Sequence, residues 1–265
     1  SDLMKQILDL FSPNKAIGKR NFIIMVSFQI AFALIYWCYF TSELIPKPMS
    51  ILTAWLNLAK SGGLIQETWV SISLCFHALL ISVIISSIIA YSTVITFFKP
   101  IAFLMRVSRF LPMVGLSFVF TLMSTNGYDL KIKLLVFGMS VFIVESMIAV
   151  VQSVTNNQYN HARTIFGNEW KVVYERVILG KAHEMISAIK QNFAIVWTML
   201  TFAEGLVRSD GGVGAMMLNE NKHLQLDSVF AIQMSLFFLG ILIDYLFGVI
   251  RNLCFPYADL ATQKK

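Results

Sequence analysis

Charge is scarce in this chain. Asp, Glu, Lys and Arg make up 14% of its 265 residues, against roughly a quarter in a soluble domain. Hydrophobic residues make up 57%. They come in long blocks and do not alternate with polar residues, which excludes an ordinary water-soluble core. Cysteine is scarcer still. Cys38, Cys75 and Cys254 lie far apart, inside or beside apolar blocks, so neither a disulfide framework nor a zinc-ligand pattern is expected, and they read as small packing residues. His77, His161, His183 and His223 show no metal-ligand spacing with one another or with Cys,. No Ser-His-Asp or paired-carboxylate arrangement stands out. The chain also lacks a P-loop. Gly211-Gly212-Val213-Gly214 has no Gly-Lys-Ser/Thr ending and follows an apolar helix instead of a strand, so it reads as a tight turn. No cofactor and no catalytic role are therefore expected, and any ATP hydrolysis must come from a partner.

What the chain does have is long apolar runs. About 20 apolar residues cross roughly 30 Å of hydrocarbon as a helix, and with no water to satisfy stray amides a helix is required. Reading charge-poor stretches predicts six spans: Asn21–Ser42, Thr68–Phe98, Phe110–Tyr128, Leu134 to about Val154, Ile186–Val207 and Ser228–Ile250. The first is longer than the roughly 7–15 apolar residues of a signal-peptide core and reads as a retained anchor. The expected fold class is an all-α membrane protein of one domain over residues 21–254. A segment 1–20 precedes it and a tail 255–265 follows. Leu3, Ile7, Leu10 and Phe11 fall near one helical face, as in a short interfacial helix, although a frayed terminus reads equally well,.

The net charge of +6 is read as membrane asymmetry, not as a nucleic-acid footprint. Of 21 Lys and Arg, only Lys47, Lys60, Lys131, Lys133, Arg208 and Lys222 fall on one side of the six-span arrangement. The others share the side of the termini, which places both termini in the cytoplasm. The segment Glu43–Glu67 is then outside, with Pro46, Pro48, a Gly62-Gly63 break and a short helix over Ser50–Lys60.

The cytoplasmic segment Thr155–Met185 is mixed in character. Ala162, Ile165, Phe166, Trp170, Val173 and Val177 sit at helical spacings; Gly167 is placed to end one helix, and Asn168-Glu169 to start another,. Two short helices with a glycine joint are predicted. They either serve as a docking element or fold back on the bundle.

This stretch resembles the cytoplasmic signature loop of permease subunits in ATP-binding-cassette importers, a pattern of Glu-Ala-Ala, three residues, Gly, nine residues, Ile, one residue and Leu-Pro. The chain has His161-Ala162-Arg163, then Gly167, then Val177-Ile178-Leu179-Gly180. His161 stands in place of the glutamate and Gly180 in place of the proline. Leu44-Ile45-Pro46-Lys47-Pro48, the run Arg109–Leu116, and Ala203-Glu204 followed by Gly211–Gly214 are similar to segments of the nitrate/sulfonate/taurine branch. The resemblance covers about Ile45 to Arg251. It implies a type I importer permease that acts as a homodimer or a pseudo-symmetric pair in a bacterial cytoplasmic membrane. Two cassette ATPase subunits would lie below, and an extracytoplasmic substrate-binding protein would deliver a small anion or similar solute. The coupling helix would hold His161, Ala162, Arg163, Ile165, Phe166 and Gly167. Ile165 and Phe166 would supply apolar packing into the ATPase, and Arg163 a rim contact. An ion-coupled secondary transporter and a membrane scaffold are the other readings.

Three acids interrupt the spans. Glu204 reads as a gate residue or as a partner of Arg208 one turn on. Asp244 reads as a partner of Arg251 or as a residue that snorkels to the inner face. Glu145 reads as functional or as satisfied in packing. Met113 and Met123, with Met216 and Met217, are candidate pathway residues.

Overall fold

The computed structural model describes Ser12, residues 18–40 and residues 44–256; it is helical throughout, with no strand among the described residues. The expected interfacial segment Ser1–Phe11 and most of the tail 255–265 lie outside the described residues. The helices are α1 (Lys19–Phe40), α2 (Pro48–Lys60), α3 (Leu64–Ser92), α4 (Lys99–Val107), α5 (Met113–Met123), α6 (Gly127–Gln152), α7 (Asn156–Phe166), α8 (Glu169–Val173), α9 (Ala182–Leu206), α10 (Val213–Lys222) and α11 (Leu226–Cys254).

Among the described residues, four helices are long and apolar enough to cross a membrane: α1, α3, α6 and α11. The expected fifth span corresponds to α9, which has 25 residues. It carries Glu184, Lys190 and Glu204 and is the least apolar of the five long helices. The expected third span does not form as one helix. Pro112 cannot donate a backbone hydrogen bond and disfavours a helical residue before it. Leu111 is accordingly extended, and α5 begins afresh at Met113. The chain bends by 113° at that break. The 11 residues of α5 reach only about 16 Å. Asn126 then starts α6 by accepting the Asp129 amide on its side chain at 2.8 Å,, so α6 begins seven residues before the expected Leu134.

The core is a bundle of α3, α6 and α9. A stripe of small residues on α3, with Ser71, Cys75, Ala78, Ser82, Ser86 and Ala90 all buried, lets α6 approach closely. Ser82 Oγ donates to the Val136 carbonyl at 3.4 Å and Ser86 Oγ to the Ser140 carbonyl at 3.3 Å. The register rises on both helices together, so α3 and α6 run parallel, with the bent α4–α5 segment connecting them. By contrast, Asn192 Nδ2 donates to Ser146 Oγ at 2.7 Å and Met199 packs near Gly138, so α9 runs antiparallel to α6. Trp197 Nε1 donates to the Leu236 carbonyl at 3.0 Å and Lys190 meets Asp244, so α11 runs antiparallel to α9. The bundle therefore has two unlike ends. One carries the glycine turn of residues 211–214, and the other carries the loop α7–α8 with Arg106, Arg109, Lys171, Arg176 and Lys181. α1 stands apart. Phe28, Phe32 and Tyr36 on one face and Ile23, Ile30 and Leu34 on another are all exposed, while Trp37 Nε1 donates to the Pro46 carbonyl at 3.1 Å.

Candidate functional site

The loop between α6 and α9 forms two short helices about a glycine. Thr155 and Gln158 make a capping box at the start of α7, the Thr155 hydroxyl accepting the Gln158 amide and the Gln158 side chain accepting the Thr155 amide,. The helix ends at Gly167, whose φ of +64° is left-handed and disfavours any residue with a Cβ. Asn168 then caps α8 by accepting the Trp170 amide at 2.9 Å. Across the joint, Arg163 Nε donates to Glu169 Oε1 at 2.6 Å and Nη2 to Oε2 at 3.3 Å, so one bidentate pair fixes the angle between the two helices. That bond holds the Arg163 guanidinium above its ordinary range. Burial pushes the Tyr159 hydroxyl up as well. The chain continues as one π-helical stretch, Tyr174–Leu179, a distortion common at functional sites.

The loop has two apolar faces. Ala162, Val172 and Val177 are fully buried and anchor it to the bundle. Ile165, Trp170, Tyr174 and Leu179 remain exposed, Trp170 by 68%. The expected apolar set thus divides: Val177 turns inward, Ile165 and Trp170 outward. Phe166 is half-buried with Lys171 Nζ 5.4 Å from its ring centroid. Arg163, expected at a rim, is engaged by Glu169 within the chain. His161 is exposed, and its Nδ1 lies 3.4 Å from Arg176 Nη2. A cleft of about 620 Å³ separates the loop from α4 and is lined by Lys99, Arg106, Tyr159, Arg163 and Glu169 among others.

The opposite end holds a buried polar cluster. Glu204 is fully buried. Its Oε1 accepts the Ser71 hydroxyl at 2.6 Å and its Oε2 the Gly214 amide at 2.9 Å. Ser71 Oγ in turn accepts the Val213 amide at 2.8 Å, and Glu67 accepts the Gly212 amide. Lys131, 1% exposed, donates to the Gly211 carbonyl at 2.9 Å and lies close enough to act on the charges of Glu204, Glu67 and Asp210. The glycines are required here. A Cβ on Gly212 (φ +105°) would lie 2.3 Å from Glu204 Oε1, and one on Gly214 would lie 2.3 Å from the Thr201 carbonyl. The four residues of the turn are thus clamped by α3, α6 and α9 together.

Glu204 therefore does not pair with Arg208, whose Nε donates weakly to the Gly205 carbonyl at 3.4 Å. Asp244 meets Lys190 at 3.7 Å in place of Arg251. Glu145 is held by Arg106 in a bidentate pair of 2.7 and 2.9 Å, with Arg109 at 3.8 Å. Met113 packs beside Met199 against Gly138. Met123 lies at the far end of α5, 63% exposed, its carbonyl accepting from Lys133. Glu204, Met113 and Met123 are not gathered into one site. Sequence reasoning missed Ser71, Glu67 and Lys131, which stand in sequence far from the turn they hold.

Comparison with protein-family models and with curated proteins finds no match to this chain.

Proposed function

We propose that the chain is the membrane-spanning permease subunit of an ATP-driven, binding-protein-dependent importer. The observation that carries this reading is the α7–Gly167–α8 element at the basic end of the bundle. It is anchored by Ala162, Val172 and Val177 yet presents Ile165, Trp170 and Tyr174 outward. An element merely folded against the bundle would bury such side chains; an element pressed by a partner would present them. In this reading α1, α3, the bent α4–α5 segment, α6, α9 and α11 make six crossings, and the loop lies in the cytoplasm by the positive-inside rule. Two copies form the pathway in a bacterial cytoplasmic membrane, each loop engaging one cassette ATPase. A binding protein delivers a small anion of the nitrate, sulfonate, taurine or bicarbonate kind, or a solute of similar size. Closure of the ATPases drives alternating access by moving the loop as a stiff lever, since the Arg163–Glu169 pair resists bending at Gly167.

Affinity purification from membranes of the native host tests this. A cassette ATPase is expected to come down with the chain in a one-to-one ratio, and replacement of Ile165 and Trp170 by Asp is expected to release it.

A second reading, ion-coupled secondary transport, draws on the buried charges Glu204, Lys131 and Glu67, because ionisable groups inside a membrane often carry coupling ions. Solute uptake that a protonophore abolishes while cellular ATP is maintained would favour it over the importer.

A further inference from the structure

We propose that the seam between α9 and α11 faces water, not lipid, and forms a wall of the solute pathway; this rests on the reading of the chain as a transport permease. The seam contains a cleft of about 390 Å³ between Phe193, Trp197, Thr198, Thr201, Gln233 and Asp244. On α9, Lys190, Thr198 and Thr201 recur at helical spacing beside Ala194, and on the antiparallel α11, Gln233 and Asp244 recur beside Phe237 and Gly240, so two rows of mixed polar and apolar residues meet along one line.

Hydrocarbon is a poor neighbour for these groups. The Lys190–Asp244 pair is loose, at 3.7 Å, and the two side chains are 33% and 50% exposed. Thr198 and Gln233 are exposed within the two helices, the Thr198 hydroxyl donating back to the Ile195 carbonyl at 2.9 Å. A charged or amide side chain in a span is expected to face protein or an aqueous cavity. Other charges in the long helices are provided for: Glu204 and Lys131, beside the glycine turn, are sealed inside the bundle, and Glu145 is held by Arg106. The exposed surface of α1 shows what a lipid-facing surface looks like here, with Ile23, Phe28, Phe32 and Ile35 turned outward. The α9–α11 seam exposes Phe237 and Ile241 too, but adds to them Gln233 and the Lys190–Asp244 pair.

The geometry also gives the chemical character of what the wall accepts. Lys190 and Asp244 balance each other, so the seam presents no net charge. The Thr198 and Thr201 hydroxyls, which donate to carbonyls of their own helix, offer acceptor lone pairs, while Gln233 offers an amide and Phe237 an exposed ring. This fits a small hydrogen-bonding solute that slides past, and not a tight anion trap. Strong selection would then fall to the delivering protein.

Cysteine accessibility tests the proposal in the full chain, in native membrane vesicles. Cys38 and Cys254, the exposed native thiols, are first replaced by Ser. Thr198→Cys, Thr201→Cys and Gln233→Cys are then introduced singly, with Phe28→Cys and Phe32→Cys as lipid-facing controls. The probe is a small charged methanethiosulfonate reagent. At least two of the three seam positions are expected to react ten-fold or more faster than the controls. Seam rates no faster than the controls overturn the proposal. Purification of the same variants keeps the two questions apart. An associated ATPase with an unreactive seam refutes the pathway assignment and leaves the importer reading standing. A reactive seam without an ATPase leaves the aqueous wall standing and refutes the importer.

Discussion

Glu204→Ala is expected to unseat the glycine turn. The carboxylate satisfies two buried donors, the Ser71 hydroxyl and the Gly214 amide. A buried donor left without a partner costs about 1–3 kcal/mol. Two such donors lose their partner together, which puts the loss between about 2 and 6 kcal/mol, while Lys131 keeps Glu67 and Asp210 near it. The middle of that range is about 4 kcal/mol. For a chain of this size roughly 2–4 °C accompanies each kcal/mol, so the unfolding midpoint should fall by about 8–16 °C. The assay is thermal unfolding of the purified protein in lipid nanodiscs, followed by tryptophan fluorescence. Lys131→Met alone should also destabilise, by leaving the Gly211 carbonyl without its donor. The double variant should be less damaged than the sum of the singles, since both substitutions release the same glycine turn,. A midpoint within about 2 °C of wild type for Glu204→Ala, or strictly additive losses, would refute this account of the cluster.

Gly167→Val should cost about 1–2 kcal/mol from the left-handed backbone alone, and it should uncouple ATP hydrolysis from uptake while the chain still inserts; uptake per ATP hydrolysed reports this. Thr155→Ala removes the capping box and should cost about 1 kcal/mol locally, seen as faster amide exchange over 156–160 with the rest of the bundle unchanged. Arg163→Ala should leave global stability nearly unaltered, because the Arg163–Glu169 pair is half-exposed, but it should lower the coupling ratio as the joint loosens. Paired measurements of unfolding midpoint and uptake per ATP separate these effects.

The long apolar helices were legible because composition alone reports them: α1, α3, α6 and α11 each carry a long apolar stretch with few charges. The loop was legible for a different reason. Gly167 and Asn168 mark a helix end and a helix start locally, and the structure places both there. The run Phe110–Tyr128 misled because hydropathy ignores punctuation. Pro112 and the Ser124-Thr125-Asn126 cap divide it into α5 and the beginning of α6, and a reading weighted toward breakers would have found both. The buried cluster had no such signal. Lys131 on α6 answers a carbonyl at Gly211, and Ser71 on α3 answers Glu204 on α9. Pairings over that sequence separation depend on the tertiary register of three helices, and the one visible hint was the density of glycine after Glu204. The π-helical stretch after Val173 likewise leaves no mark in composition.

The most direct test of the central claim is a photo-crosslink from Ile165, whose side chain is 58% exposed on α7. A benzophenone amino acid at that position, in membranes of the native host, should join the chain to a cassette ATPase, with a yield that changes when ATP hydrolysis is blocked by vanadate. Adducts with lipid or with extracytoplasmic proteins, and none with an ATPase, would contradict the assignment of the loop as the coupling element.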